Sequence, residues 1–228
     1  SVHKQKNALK YIRKVFCMAH DEGIIKGIPV PELKFPVIEK YPEILTEKEV
    51  KQFLNQAKKS NSEWYPHWFM ALYTGMRNGE LYALTWDKVD FENKKIIVDR
   101  AYSKKDGFKQ TKSGRFRLVE IAPNLIKLLK ELKDQDRGDN YVLPRIDHWS
   151  KGQQASILRM FLEGCGVKSI KFHGLRGTHA TIMLRRGVPA VKVMANCGWQ
   201  DLKTMRHYVS IAGMEVNGIS DELDLHDH

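Results

Sequence analysis

In KFHGLRGTHATIML, residues 171–184, the polar side chains of His173, Arg176 and His179 interrupt a stretch that otherwise reads as a buried helix. Three cationic or proton-carrying groups beside an apolar face are costly unless something anionic meets them. On a helix, His173 and Arg176 at i and i+3 face the same way, whereas His179 is rotated well round from His173. That spacing does not suit a zinc pair, and HExxH occurs nowhere in the chain. A histidine and an arginine near a helix N-terminus form instead a cluster of donors suited to a phosphate.

Three further stretches carry residues able to join them. In TGMRNGEL (74–81) Arg77 follows a glycine turn, and Glu80 lies where a carboxylate can hold its guanidinium. QTKSGR (110–115) puts Lys112 on a hairpin turn, and CGWQDLKTMRHYV (197–209) carries Trp199 after a glycine helix stop and Tyr208 on the next short helix. Each could serve an ordinary structural purpose: a helix-end pair, a surface ion pair, a solvated turn lysine, a core or interface tyrosine. Their order along one basic chain, Arg, Lys, His-x-x-Arg, Trp, Tyr, is hard to produce by accident.

The elements that must position these residues are mostly helical. Ala8, Leu9, Ile12, Val15, Phe16 and Ala19 recur at helical spacing and predict an amphipathic helix over Asn7–Ala19 that ends near Gly23. GIPVPELKFPVIEKYP (27–42) holds Pro29, Pro31, Pro36 and Pro42, which forbids regular helix and predicts an extended linker at a domain boundary. Thr46 and Glu49 in LTEKEVKQFL have capping-box spacing, so a helix starts at about Thr46. Further helices are predicted over Trp64–Thr74, Asn124–Leu132, Ser150–Glu163, His173–Arg186, Pro189–Asn196 and Leu202–Val209. Between them, residues 94–121 are β-branched, broken by Gly107 and Gly114, and predict two or three antiparallel strands with basic turns. The chain opens at Ser1 with a helix soon under way, as expected of a fragment of something longer.

Composition narrows the partners. The 38 Lys and Arg against 27 Asp and Glu leave a net charge of +11 over 228 residues, which points to nucleic acid; ribosomal, membrane-surface and solubilising roles fit the same charge. Cys17, Cys165 and Cys197 are scattered, so neither a zinc ribbon nor a disulfide framework is supported and a reducing cytoplasm is expected. No apolar run approaches the roughly 18 residues of a membrane span. Neither GxGxxG nor GxxxxGK[ST] is present, which argues against nucleotide-driven chemistry.

With these boxes in place, the chain resembles the catalytic domain of the tyrosine recombinases of the phage-integrase family over about Leu45 to Ser210. The resemblance rests on TGMRNGEL, TKSGRFRLVEI, HGLRGTHAT and CGWQDLKTMRHYV. It implies a mainly α fold with a small antiparallel β-sheet. Residues 1–26 are then the C-terminal remnant of a core-binding domain, 27–44 a linker and 45–210 the catalytic domain. Residues 211–228 form a C-terminal tail that could contact a neighbouring protomer. By resemblance Tyr208 is the nucleophile that forms a 3′-phosphotyrosine on DNA, with Arg77 and Arg176 clamping the phosphate. His173 takes the tyrosyl proton or orients the phosphate, Lys112 protonates the leaving 5′-oxygen, and Glu80 braces the site. Trp199 departs from the family, most members having His nine residues before the tyrosine. An indole N–H donates a hydrogen bond but relays no proton. His179 is read as structural. No metal and no cofactor are implied. The implied partners are double-stranded DNA, a tetramer of the protein on that DNA, and accessory DNA-bending or directionality proteins, in a bacterial or phage-encoded, nucleoid-associated setting in the cytoplasm. Integration and excision of a mobile element is the expected role. Chromosome-dimer resolution, type IB topoisomerase activity and an inactive DNA-binding module remain as alternatives.

Overall fold

Helix α1 (Val2–Asp21) carries the predicted apolar stripe, with Leu9, Phe16 and Ala19 half-buried and Ile12 and Val15 exposed. The structure is a computed structural model and describes residues 2–30, 42–110 and 116–213. The chain divides into two compact units, Ser1–Lys40 and Tyr41–His228. In the first, Arg13 Nη1 donates to the Val30 carbonyl at 2.7 Å, which ties the segment after α1 back to the helix. Most of the predicted linker, Lys112, and all but the first residues of the tail lie outside the described residues.

The second unit begins as its sequence dictates. Thr46 caps α2 (Glu47–Lys59) in a reciprocal box: its hydroxyl accepts from Glu49 N at 3.2 Å, and its own N–H donates to Glu49 Oε2 at 2.7 Å. Helix α3 (Tyr65–Thr74) is apolar around nearly its whole circumference, and a helix of that kind belongs at the centre of a core. Trp68 and Met70 are fully buried there beside Phe53, Leu125 and Leu129. It stops at Gly75, whose left-handed φ of 63° suits the position after a helix end. The short α4 (Asn78–Ala83) follows at once.

Five strands come next among the described residues: β1 (Val89–Asp90), β2 (Lys95–Val98), β3 (Arg100–Ser103), β4 (Gly107–Gln110) and β5 (Arg117–Glu120). They form two antiparallel ladders, β1-β2-β5 and β3-β4. This corrects the expectation of two or three strands, since residues 94–121 alone carry four. In the main sheet β2 pairs with β5, Lys95 opposite Glu120 and Val98 opposite Arg117, while the intervening β3-β4 hairpin packs against α4. Alternation of side chains reports that a segment is extended; which strand it pairs with depends on contacts distant in sequence.

The remaining helices are α5 (Pro123–Asp134), α6 (Asp147–Ser150), α7 (Gln154–Gly164), α8 (Phe172–Arg185), α9 (Ala190–Cys197) and α10 (Leu202–Ala212). The single helix expected over Ser150–Glu163 is in fact broken: α6 closes at Lys151, and Gly152 at φ 79° turns the chain before α7. Helix α8 is buried over Leu175–Thr181 and packs on both α3 and α10. A smaller apolar cluster of Ala180, Leu184, Val193, Cys197, Met205 and Tyr208 joins α8, α9 and α10.

Candidate active site

Three helix ends converge on Arg176. From α8 its Nη1 donates to the Gly75 carbonyl beyond α3 at 2.6 Å, and its Nη2 donates to the Cys197 carbonyl at the end of α9 at 2.5 Å. The side chain is 1% exposed, and its Nε is buried with no partner in the protein. Burial pulls the guanidinium down to about 10, and neighbouring Arg77 and Arg117 pull the same way against Cys197 and Glu80. It remains charged at neutral pH, with one buried donor that the protein leaves unpaired.

Arg77 occupies the cap position of α4, about half exposed. Its Nη1 donates to Glu80 Oε1 at 2.8 Å and its backbone N–H to Glu80 Oε2 at 2.7 Å, while Nη2 lies 3.4 Å from the Gly198 carbonyl. Glu80 is 2% exposed and accepts a second fork from Arg117, Nη1 at 3.0 Å and Nη2 at 2.7 Å. Burial alone would raise its carboxyl; the bonds from Arg117 and then Arg77 overcome this and hold it below the usual carboxylate range.

His173 lies in the first turn of α8 and is open to solvent on one side. Desolvation by the adjoining protein, followed by the charges of Arg176 and Arg77, holds its imidazole below the ordinary histidine value. Tyr208 on α10 is 6% exposed, and its ring stacks on Trp199 with centroids 4.8 Å apart and planes 9° from parallel. The Trp199 ring in turn lies 5.1 Å from the Arg176 guanidinium. Gly177 makes the close approach of α10 possible, because a Cβ there would stand 3.0 Å from Tyr208 Cε1. Burial raises the phenol above its usual value, with Arg176 opposing. The structure thus gathers Arg77, Glu80, His173, Arg176, Trp199 and Tyr208 into one region, with Lys112 outside the described residues.

His179 makes its bonds to α3 and α9. Its Nδ1 is 2.8 Å from the Leu72 carbonyl and its Nε2 is 3.1 Å from Asn196 Nδ2, which also donates to the Thr74 carbonyl at 3.0 Å. These partners assign a neutral ring, with Nδ1–H donating and Nε2 accepting. Burial depresses His179 to about 4, as it does His67, whose Nε2 is 3.0 Å from the Pro144 carbonyl. Between the ordinary 6.5 and about 4 the unfolded chain binds more protons at both positions, so folding stability falls as pH drops through that window. Each histidine contributes a slope of about 1.4 kcal/mol per pH unit inside it. Urea unfolding at pH 7 and pH 5 checks this, and equal midpoints would refute the assignment of two neutral buried rings.

Arg117 and Asn196 are the site residues that sequence reasoning missed. A signal for Arg117 existed: in the alternation of β5 it shares the parity of buried Val119, so an arginine points inward. Its Nε also donates to the Asn196 carbonyl at 2.9 Å. Arg77, Arg117 and Arg176 around one buried carboxylate leave uncompensated positive charge, the arrangement that takes an anion with bidentate oxygens. Among the described residues, no group of three or more His, Cys, Asp or Glu could hold a metal ion, and no helix is long and apolar enough to cross a membrane.

Fold and site define a mainly helical domain with small antiparallel ladders, in which arginines from two distant boxes meet a tyrosine stacked on an indole. The chain belongs to the phage integrase family, whose model matches residues 43–214. It is 28% identical to the tyrosine recombinase XerC-like protein of Caldanaerobacter subterraneus subsp. tengcongensis, over 84% of this chain and 58% of that protein. To the ICEBs1 integrase of Bacillus subtilis it is 24% identical, over 87% of this chain and again 58% of the relative. It therefore spans less than two thirds of the length of either. Among solved structures, the Tn1549 transposon integrase in complex with a circular intermediate DNA superposes with a TM-score of 0.77 at 18% identity, covering 94% of this chain and 79% of that one. A lambda integrase dimer bound to a core site gives 0.64 at 17% identity, covering 88% and 57%.

Proposed function

We propose that this chain carries the DNA-cleaving and rejoining centre of a site-specific recombinase that integrates and excises a mobile element, with Tyr208 as nucleophile. The observation that carries the reading is the stack of Tyr208 on Trp199 beside the buried, partly unpartnered guanidinium of Arg176. Attack by Tyr208 Oη on a phosphodiester forms a phosphorus–oxygen bond to the tyrosine and breaks the bond to the 5′-oxygen. The phenol proton passes to neutral His173, and Lys112 gives a proton to the departing 5′-oxygen, which leaves as the 5′-hydroxyl. Arg77 and Arg176 hold the nonbridging oxygens as negative charge gathers on them, with each such donor worth on the order of 10²-fold in rate. The 3′-phosphotyrosine retains the energy of the broken bond, so a second 5′-hydroxyl can rejoin it without ATP.

Double-stranded DNA is the partner, and strand exchange between two duplexes needs four such centres, hence a tetramer of the full-length protein on DNA, with DNA-bending or directionality proteins as accessories. The net charge of +11 supports the first of these. Chromosome-dimer resolution is the second reading, favoured by the XerC-like relative. The captured DNA sequence separates the two.

The test offers nicked duplexes from the source genome to the full-length protein, with metal chelated, and maps any denaturant-resistant adduct by mass spectrometry. The adduct is expected on Tyr208, forming faster as pH rises through a histidine pKa below the ordinary value, because His173 must be neutral to accept the proton. Tyr208→Phe is expected to abolish the adduct while DNA affinity stays within about 3-fold, well under the tenfold that 1.4 kcal/mol represents. An adduct on another residue, or one that survives this substitution, would overturn the assignment.

A further inference from the structure

The contacts of Arg117 go beyond those of a structural ion pair. Its three donor nitrogens are committed inward, Nη1 and Nη2 to the two oxygens of Glu80 and Nε to the Asn196 carbonyl. Gly198 sits over its stem so closely that a Cβ there would stand 2.9 Å from Arg117 Cδ. Glu80 in turn is the partner that holds Arg77, and the Gly198 carbonyl is the second acceptor near it. One guanidinium on β5 therefore grips the carboxylate that holds Arg77 and packs beside Gly198, the residue that leads into Trp199.

Two physical consequences follow. Arg77 reaches the two Glu80 oxygens through its backbone N–H and the end of a long side chain; the planar Arg117 fork on both oxygens fixes the carboxylate plane independently, so the remaining lone pairs meet those two donors in one geometry. Fixing the acceptor matters because Arg77 is about half exposed and has a long side chain to immobilise. The second consequence is electrostatic. With two guanidiniums on one carboxylate, the charge of Arg77 is only partly neutralised and stays available to an anion. Remove the positive charge of Arg117, and Glu80 would pair with Arg77 alone, drawing it back and cancelling it.

We infer that Arg117 is a positioning residue for the reaction, acting through Glu80 on Arg77, an inference that rests on the recombinase reading above. Arg117→Gln in the full-length protein slows formation of the Tyr208 adduct by about 10²-fold, the scale of a small misplacement in a catalytic constellation. Binding to the same nicked duplex changes by less than about 3-fold, so the effect lies in the rate and not in affinity. Arg117→Lys, which keeps the charge and loses the fork, falls between the two.

The decisive readout is a double-substitution cycle with Arg77→Lys under single turnover, with thermal unfolding of each protein as a check of fold. A residue that acts through Arg77 loses its effect once Arg77 is gone, so Arg117→Gln should cost less than about 2-fold more in the Arg77→Lys background. A merely structural role would give losses that multiply. Multiplying losses, wild-type rates in Arg117→Gln, or loss of fold in both Arg117 variants would each overturn the inference alone. Absence of a Tyr208 adduct in the unsubstituted protein would overturn the recombinase reading and this inference with it.

Discussion

Arg176→Lys is expected to leave a full-length protein that binds DNA but forms the Tyr208 adduct at no more than about one hundredth of the native rate. The reason is geometric as much as electrostatic. Arg176 fastens the carbonyls of Gly75 and Cys197 with separate nitrogens of one plane, and its Nε is still unpartnered. A lysine ammonium at this depth is a single point of charge that cannot span both carbonyls and present a donor to phosphate as well. The 1% exposure of the side chain adds a desolvation cost that the ammonium, more strongly hydrated than a guanidinium, meets less well. Stability should fall too, because a buried carbonyl left without a donor costs about 1–3 kcal/mol. Single-turnover adduct formation beside thermal unfolding separates the two losses. Cleavage within tenfold of native in a protein of lowered stability would remove Arg176 from the phosphate clamp and leave it a structural role.

How much of the fold and site is legible in the sequence depends on how local each signal is. The Thr46–Glu49 box, the glycine after α3 and the helical pair His173 and Arg176 are written within a few residues, and each appears where its spacing places it. The two ladders are not legible, because pairing β2 with β5 requires the hairpin between them to leave the sheet for α4. The break at Gly152 is hard to place because the helical apolar spacing of Ile157, Leu158, Phe161 and Leu162 begins only beyond it and does not fix where the helix starts. Arg117 escapes notice for a related reason. Its partner Glu80 is 37 residues away, and nothing in TKSGRFRLVEI says which of its basic residues turns inward until the strand's buried parity is taken seriously. The polar residues of α8 bring many donors inside one helix, and something must accept from them. Part of that acceptance comes from the protein itself, through the carbonyls of Gly75, Cys197 and Leu72, and the Arg176 Nε is left buried without a partner.

Glu80→Ala should produce the largest loss of stability of any substitution around the site, about 3 kcal/mol or more. Replacing a whole buried ion set with apolar groups is often harmless, whereas removing one partner leaves the others charged and unpaired. Here a 2% exposed carboxylate is lost from between two guanidiniums, one of them only 13% exposed. The backbone N–H of Arg77 loses its acceptor as well, at the cap of a helix only six residues long. Cleavage should fall with it, since Arg77 loses the group that positions it. Glu80→Gln isolates the charge: the amide nearly preserves the shape and can still accept from one guanidinium, but its NH2 faces the other donor. The pH dependence supplies the sign. The carboxyl is held below its unfolded value, so its contribution is complete above the unfolded pKa, about 4.3 for glutamate, and is lost as pH falls through the lower folded value. The stability difference between the native protein and Glu80→Gln should therefore be constant near neutrality and shrink below about pH 4. His67 and His179 titrate alike in both proteins and cancel from that difference. A difference unchanged at low pH would mean that the carboxylate charge contributes nothing to the clamp, and that Glu80 acts by shape alone.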